Sequence, residues 1–331
     1  MGHFMRLSRL TLLPAVLLVA GCGSPSSNAP ANSGGATPTT LAQNHVHSIV
    51  VMPSNPKVIY MGAHYHLYRS SDGGVKWHPL LKQMIVSMAL DPAHPSTIYG
   101  VSNVHGLLKI TDSGAHWTSL TGAIPHGQII GVTGDPATNA ILAHGLGIYR
   151  STDGGKHFSW TLRTQSIGNV AVGSDHTLYA ASGNGLYVSH DSGLHWSLIG
   201  SIGNQPTIQV VASGHAAYLI AAIGIFHSAN DGRSWKPLNQ APQGIQYLGV
   251  SPTVPTEVFA EATGGTFYAS HDGGRSWQPA NKGIHDHNFS ASTIRVAPSA
   301  PNVVYTGAWG LHFYASQDAG RNWTQTASLT Q

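Results

Sequence analysis

Short runs of β-branched and aromatic residues follow one another along most of this chain, each closed by polar turn residues. From residue 85 onward, IVSMALDP, STIYGVS, GLLKIT and HWTSL read as four strands, A to D, separated by turns. The same order recurs along the chain: a β-branched strand A, a short strand B, a Gly-Leu-Tyr-like strand C, then a strand D entered through an aromatic. Apart from the N-terminus, no long segment carries the 3.6-residue spacing of an amphipathic helix.

What separates strands C and D is a repeated box. SSDGGVKW, ITDSGAHW, STDGGKHF, SHDSGLHW, SANDGRSW, SHDGGRSW and SQDAGRNW place an acid or amide at Asp72, Asp112, Asp153, Asp191, Asn230, Asp272 and Asp318. The gaps between them are 40, 41, 38, 39, 42 and 46 residues. A period of this length with four strands per unit predicts an all-β, seven-bladed β-propeller over residues 44–331. The box residues are read as a turn. A short carboxylate or amide accepts hydrogen bonds from turn N–H groups, the following Gly can take positive φ, and the aromatic can bury its face between sheets. Seven equivalent copies, one with Asn in place of Asp, do not describe a catalytic centre. No strand is left over to lace the ends together, so blades 1 and 7 are expected to meet through side chains rather than a shared sheet.

Composition fits one large all-β domain: 331 residues, 39 glycines, 9% charged residues and a formal net charge of +3. Two of those positive charges, Arg6 and Arg9, lie in a leader, so the remainder is nearly neutral and nucleic acid is an unsuitable partner. The leader itself, residues 1–21, couples a basic start to the apolar run TLLPAVLLVA. Val19-Ala20-Gly21-Cys22 resembles the bacterial lipobox, which implies lipidation of Cys22, the single cysteine, and an extracytoplasmic, membrane-anchored protein. Residues 22–43, rich in Ser, Pro, Gly and Asn, read as a flexible tether.

The box pattern Ser-x-Asp-x-Gly-x-x-Trp resembles that of the Asp-box (BNR) repeat family. The resemblance implies the propeller fold and leaves function open, because the family includes sialidases, xyloglucan-cleaving glycosidases, sortilin-type receptors and photosystem II assembly factors. Glycosidases need a pair of carboxylates flanking one bond, and the chain has 11 Asp and 2 Glu in all. Most of these sit in boxes or in the A–B turns, on the face opposite the usual ligand site. Asp286 and Glu261 form the one conceivable acid/base pair. Of the arginines a sialidase needs, Arg295 alone belongs near the channel, and the Phe/Tyr-Arg-Ile-Pro motif is missing. A monomeric, non-catalytic binding or assembly scaffold is therefore the first reading, and a glycoside hydrolase the second.

Histidine is the departure from an ordinary propeller, with 21 in the chain. His116, His157 and His195 precede box aromatics and read as surface groups. Others gather toward the opposite face: His45 and His47 opening blade 1, His64 and His66 in its B–C turn, His285 and His287 in the loop entering blade 7, and His312 on that blade's strand C. Four residues before each box stand His66, Gly106, Gly147, Gly185, Gly224, Thr266 and His312, so histidine replaces the usual glycine only in the first and last blades. Ring closure makes those blades neighbours. The cluster is expected to serve a protein, a glycan or a transition metal such as Zn²⁺, Cu²⁺ or Ni²⁺, with Tyr65 and Trp309 available for stacking. His105 and His144, in the B–C turns of blades 2 and 3, would extend the rim.

Overall fold

The computed structural model describes residues 45–120, 124, 127–164, 166–199, 202, 206–285 and 291–326. The leader, Cys22 and the tether lie outside the described residues, as do Asp286 and His287.

The described chain forms seven antiparallel four-stranded sheets, each in simple A-B-C-D order. The inner strands are Val46–Val51, Ile85–Leu90, Ile129–Asp135, Ile167–Val172, Thr207–Ser213, Ile245–Val250 and Ala291–Ala297. Each packs against the inner strands of the blades before and after, and the first packs against the last, so the ring is closed. Strand B is buried on both faces in nearly every blade, for example Ile59–Ala63 and Leu178–Ser182. Apolar sheet faces then stack into seven inter-blade cores.

Among the described residues, the seam between blades 1 and 7 shares no sheet, in line with the repeat phase. Val46, Ile49, Ile59 and Met61 pack there against Tyr305, Leu311 and Phe313, and Trp77 meets Phe313 edge-on at 4.9 Å between ring centroids. Tyr305 also donates its hydroxyl proton to the Pro56 carbonyl at 3.0 Å. One backbone contact supplements the packing, an isolated antiparallel bridge between His45 and Trp309.

The box turns share one hydrogen-bond pattern in six blades. In blade 1, Ser70 Oγ donates to Asp72 Oδ1 at 2.8 Å and accepts from the Gly74 N–H at 2.9 Å, while Asp72 Oδ1 accepts from the Lys76 N–H at 2.9 Å. Asn230 substitutes as its amide oxygen allows, accepting from Ser228 Oγ and from the Ser234 N–H, both at 3.0 Å. Blade 2 departs from the expected turn. Ile110 stands where the others have Ser, and Asp112–Gly114 winds into a 3₁₀ turn with Asp112 at φ 51° and Ser113 at φ 58°. Its aromatic is not buried either: Trp117 is 40% exposed.

His116, His157 and His195 are exposed, and each sets Nδ1 against the Oδ2 of its own box acid, at 2.8, 2.6 and 2.6 Å. Burial would raise the Asp191 carboxyl, but hydrogen bonds from the His195 backbone and ring and from Ser189 outweigh it and bring the pKa to about 2. Asp272 is likewise lowered to about 2, chiefly by the Ser276 hydroxyl. A depressed folded-state pKa stabilises the fold above the unfolded carboxyl value, and that stabilisation disappears as pH falls through the folded value. Between pH 4 and pH 2 these turns are therefore expected to lose their contribution. Asp272→Asn should hold the turn, as Asn230 does, and give a shallower dependence of chemical-denaturation stability on pH across that window. An unchanged slope would show that the carboxylate is not the linked group.

Candidate functional site

A β-bulge opens the inner strand of every blade, placing one extra residue between the first and third positions. A bulge re-aims the side chain it carries. The bulge residues of blades 2 to 6 are Val86, Ile130, Gly168, Ile208 and Gln246, and that of blade 1 is His47. His47 thereby lines the mouth of the central channel.

His45 stands two residues earlier, just before that strand, and the His64 N–H donates to the His45 carbonyl at 3.1 Å, tying the B–C turn to the strand's entry. The three imidazoles converge. Ring centroids are 4.1 Å apart for His45 and His47, 5.3 Å for His45 and His64, and 6.0 Å for His47 and His64. One potential ligand nitrogen from each ring lies within 4.8 Å of the other two. Trp309 of blade 7, 52% exposed, stacks on His45 at 4.2 Å, and Tyr65 meets His64 edge-on at 4.7 Å. Burial first, then repulsion from His45 and His64, lowers the His47 pKa from 6.5 to about 4, so its ring is neutral at physiological pH. The His47 Nε2 is withdrawn from solvent and hydrogen-bonded to no described group.

The remaining histidines expected here go elsewhere. His66 turns toward Tyr68, whose hydroxyl lies 3.4 Å from its Nδ1. His312 Nδ1 pairs with the Gln325 amide at 3.3 Å on the outer strand. His285 is exposed. A spacing of two along a strand sets a common direction, but residues across a tight turn diverge, which separates His66 from His64. His144 is not on the rim. It sits in strand B of blade 3 (Ala140–Gly145), 4% exposed, with Nδ1 3.5 Å from the Ile167 carbonyl of blade 4. A Cβ at Gly131 would stand 2.2 Å from its ring, so glycine on the adjacent inner strand makes room for it.

Glu261 occupies the equivalent strand position in blade 6 (Val258–Ala262) and is 0% exposed. A carboxyl with no solvent access cannot protonate a leaving group on a bound glycan, which corrects its expected role as half of an acid/base pair. Glu257, on the box face, binds His271 Nδ1 at 2.6 Å instead. Arg295 does reach the channel. At the fifth position of the inner strands, Val50, Ala89, Thr133, Ala171, Val211 and Gly249 line the lumen, and blade 7 contributes Arg295. Its side chain is open to channel water, and its Nη1 donates to the Ile294 carbonyl at 3.1 Å.

The inner strands also carry a set of contacts that sequence reasoning missed. At their third position, Ser48 and Ser87 accept from the Met88 and Val132 N–H groups of the next blade at 3.1 and 3.2 Å. Asn169 and Gln209 do the same for Val210 and Leu248 at 3.0 and 2.7 Å. Isolated polar residues in apolar strands are the sequence trace of this ladder.

The described residues define a seven-bladed β-propeller, with His45, His47 and His64 gathered beside Tyr65 and Trp309. Comparisons agree on the fold. The chain superposes on the GH74 xyloglucanase of Xanthomonas campestris with a TM-score of 0.70 at 17% identity, covering 86% of this chain and 54% of that one. YCF48 from Cyanidioschyzon merolae gives 0.66 at 14%, covering 85% and 97%, and a YCF48 bound to D1 peptide gives 0.64 at 16%, covering 84% and 94%. Among curated sequences, a probable oligoxyloglucan-reducing end-specific xyloglucanase of Neosartorya fischeri is 24% identical over 247 residues, which is 65% of this chain and 27% of the relative. The dispase autolysis-inducing protein of Streptomyces mobaraensis is 24% identical over 151 residues, 44% of this chain and 40% of the relative. The chain thus spans well under half the length of either curated relative. No family model matches it.

Proposed function

We propose that this protein is a non-catalytic binding or assembly scaffold, lipid-anchored through Cys22 outside the cytoplasmic membrane, that engages a protein or glycan at the channel mouth beside blades 1 and 7. The observation that carries this reading is the cluster of His45, His47 and His64 walled by Tyr65 and Trp309. Aromatic and imidazole faces of this kind stack on sugar rings and on peptide side chains. Extent supports it as well: the YCF48 chains are covered almost entirely, whereas the xyloglucanase is covered over about half its length.

Glycoside hydrolysis is the second reading, favoured by the xyloglucanases among the relatives. It needs a carboxylate other than Glu261 to partner Asp286. The two readings separate on one pair of measurements. A pull-down from native membranes should recover a ligand with the wild type and lose it with Trp309→Ala, while xyloglucan oligosaccharides remain uncleaved by the wild type. Hydrolysis abolished by Asp286→Asn would replace the scaffold reading with the enzymatic one.

A further inference from the structure

We infer that His45, His47 and His64 bind one divalent first-row transition ion, Zn²⁺ or Cu²⁺, and that this ion clips the chain's first strand to the B–C turn of its blade. The inference deepens the reading above by assigning an ion to the same face.

The donor set suits the ion. Neutral imidazole is the commonest metal-ligating side chain, and three of them match Zn²⁺ or Cu²⁺ better than the oxygen-preferring Mg²⁺ or Ca²⁺. Nitrogens bound tetrahedrally at roughly 2.0–2.1 Å stand about 3.4 Å apart. The three candidate nitrogens, all within 4.8 Å of one another, reach that spacing by small ring rotations. The buried Nε2 of His47 supplies a second observation, because a polar atom withdrawn from water without a described partner is costly unless something binds it. Other described histidines satisfy their rings differently: His116, His157 and His195 on box acids, and His215 on Asp231 at 3.0 Å.

The position of the cluster gives the ion a mechanical role. His45 and His47 belong to the entry of the first strand and His64 to the turn beyond the second. His45 also bridges Trp309 across a seam that no sheet of the described residues spans. Binding the native arrangement and not the unfolded one stabilises the fold by mass action, here at the point where the ring closes. Three imidazoles leave a coordination position for a donor atom of the scaffold's partner.

Calorimetric titration of the detergent-solubilised full chain with Zn²⁺ and with Cu²⁺ alone tests this. One equivalent is expected near neutral pH, with a rise of several degrees in melting temperature and slower amide exchange across residues 46–51. His47→Ala and His64→Gln should lose the equivalent and the thermal shift, while His66→Ala and His312→Ala keep both. Should His47→Ala fold poorly by circular dichroism, His64→Gln decides alone. No stoichiometric binding, or binding that survives His64→Gln in a folded protein, overturns the inference. Failure of the titration leaves the scaffold reading standing, and xyloglucan hydrolysis would remove the scaffold reading without touching the ion.

Discussion

Lowering the pH from 6.5 to 4 is expected to cost this protein about 2–3 kcal/mol of stability through His144 alone, on the order of a hundredfold in the unfolding equilibrium. The group is enclosed between blades 3 and 4, and burial lowers its pKa from 6.5 to about 4. The unfolded chain takes up a proton near pH 6.5 while the native ring refuses it until about pH 4. Stability therefore falls as pH drops through that window and levels off below it. His47 acts in the same direction with a smaller weight, because it is only partly buried at the channel mouth. Guanidinium unfolding at a series of pH values measures the slope. In His144→Leu the slope should shrink markedly, at a modest cost in stability at pH 7. A slope indifferent to that substitution would mean that other groups carry the acid sensitivity.

Truncating the seam is expected to cost as much without involving any proton. Phe313 is 1% exposed and packs on Trp77 and Tyr305 between the last blade and the first. Phe313→Ala should destabilise the protein by about 3–5 kcal/mol, the usual range for emptying a buried aromatic site. Phe267→Ala, equally buried between blades 6 and 7, is the matched control of similar cost. The two should differ in where the molecule opens. With Phe313→Ala, residues 46–51 and 59–63 should lose hydrogen-exchange protection first, because among the described residues the first sheet is held to the last by side chains and one bridge. Equal exchange patterns in the two variants would show that the ring has no preferred opening point.

The candidate site was partly legible in the chain. The repeat phase places blade 7 beside blade 1, but strand alternation does not aim the rings: His45 precedes the first strand in an isolated bridge to Trp309, and His47 is that strand's bulge residue. His66 and His312 occupy a common repeat position, yet equivalence in the repeat does not bring two side chains together: each lies on its own blade's outer side. His144 reads from the sequence as a rim group because it stands near a turn, and Glu261, in strand B of blade 6, as a conceivable acid partner of Asp286. Their burial depends on what faces them, a glycine at 131 in one case and the adjoining blade in the other, and a single strand's sequence does not carry that information.

By itself, the sequence determined the number of blades and the strand order within each, because strand alternation and box turns are local physics read at a fixed period. Tertiary structure alone decided which histidines meet, which carboxyl is sealed from solvent, and how Ser48, Ser87, Asn169 and Gln209 tie one inner strand to the next. The ties between inner strands and the His45–Trp309 stack join residues some 40 to 260 positions apart, whereas His45, His47 and His64 meet within one blade across 2 to 19 positions. Packing between blades sets the former, a bulge and a tight turn set the latter, and strand periodicity sets neither.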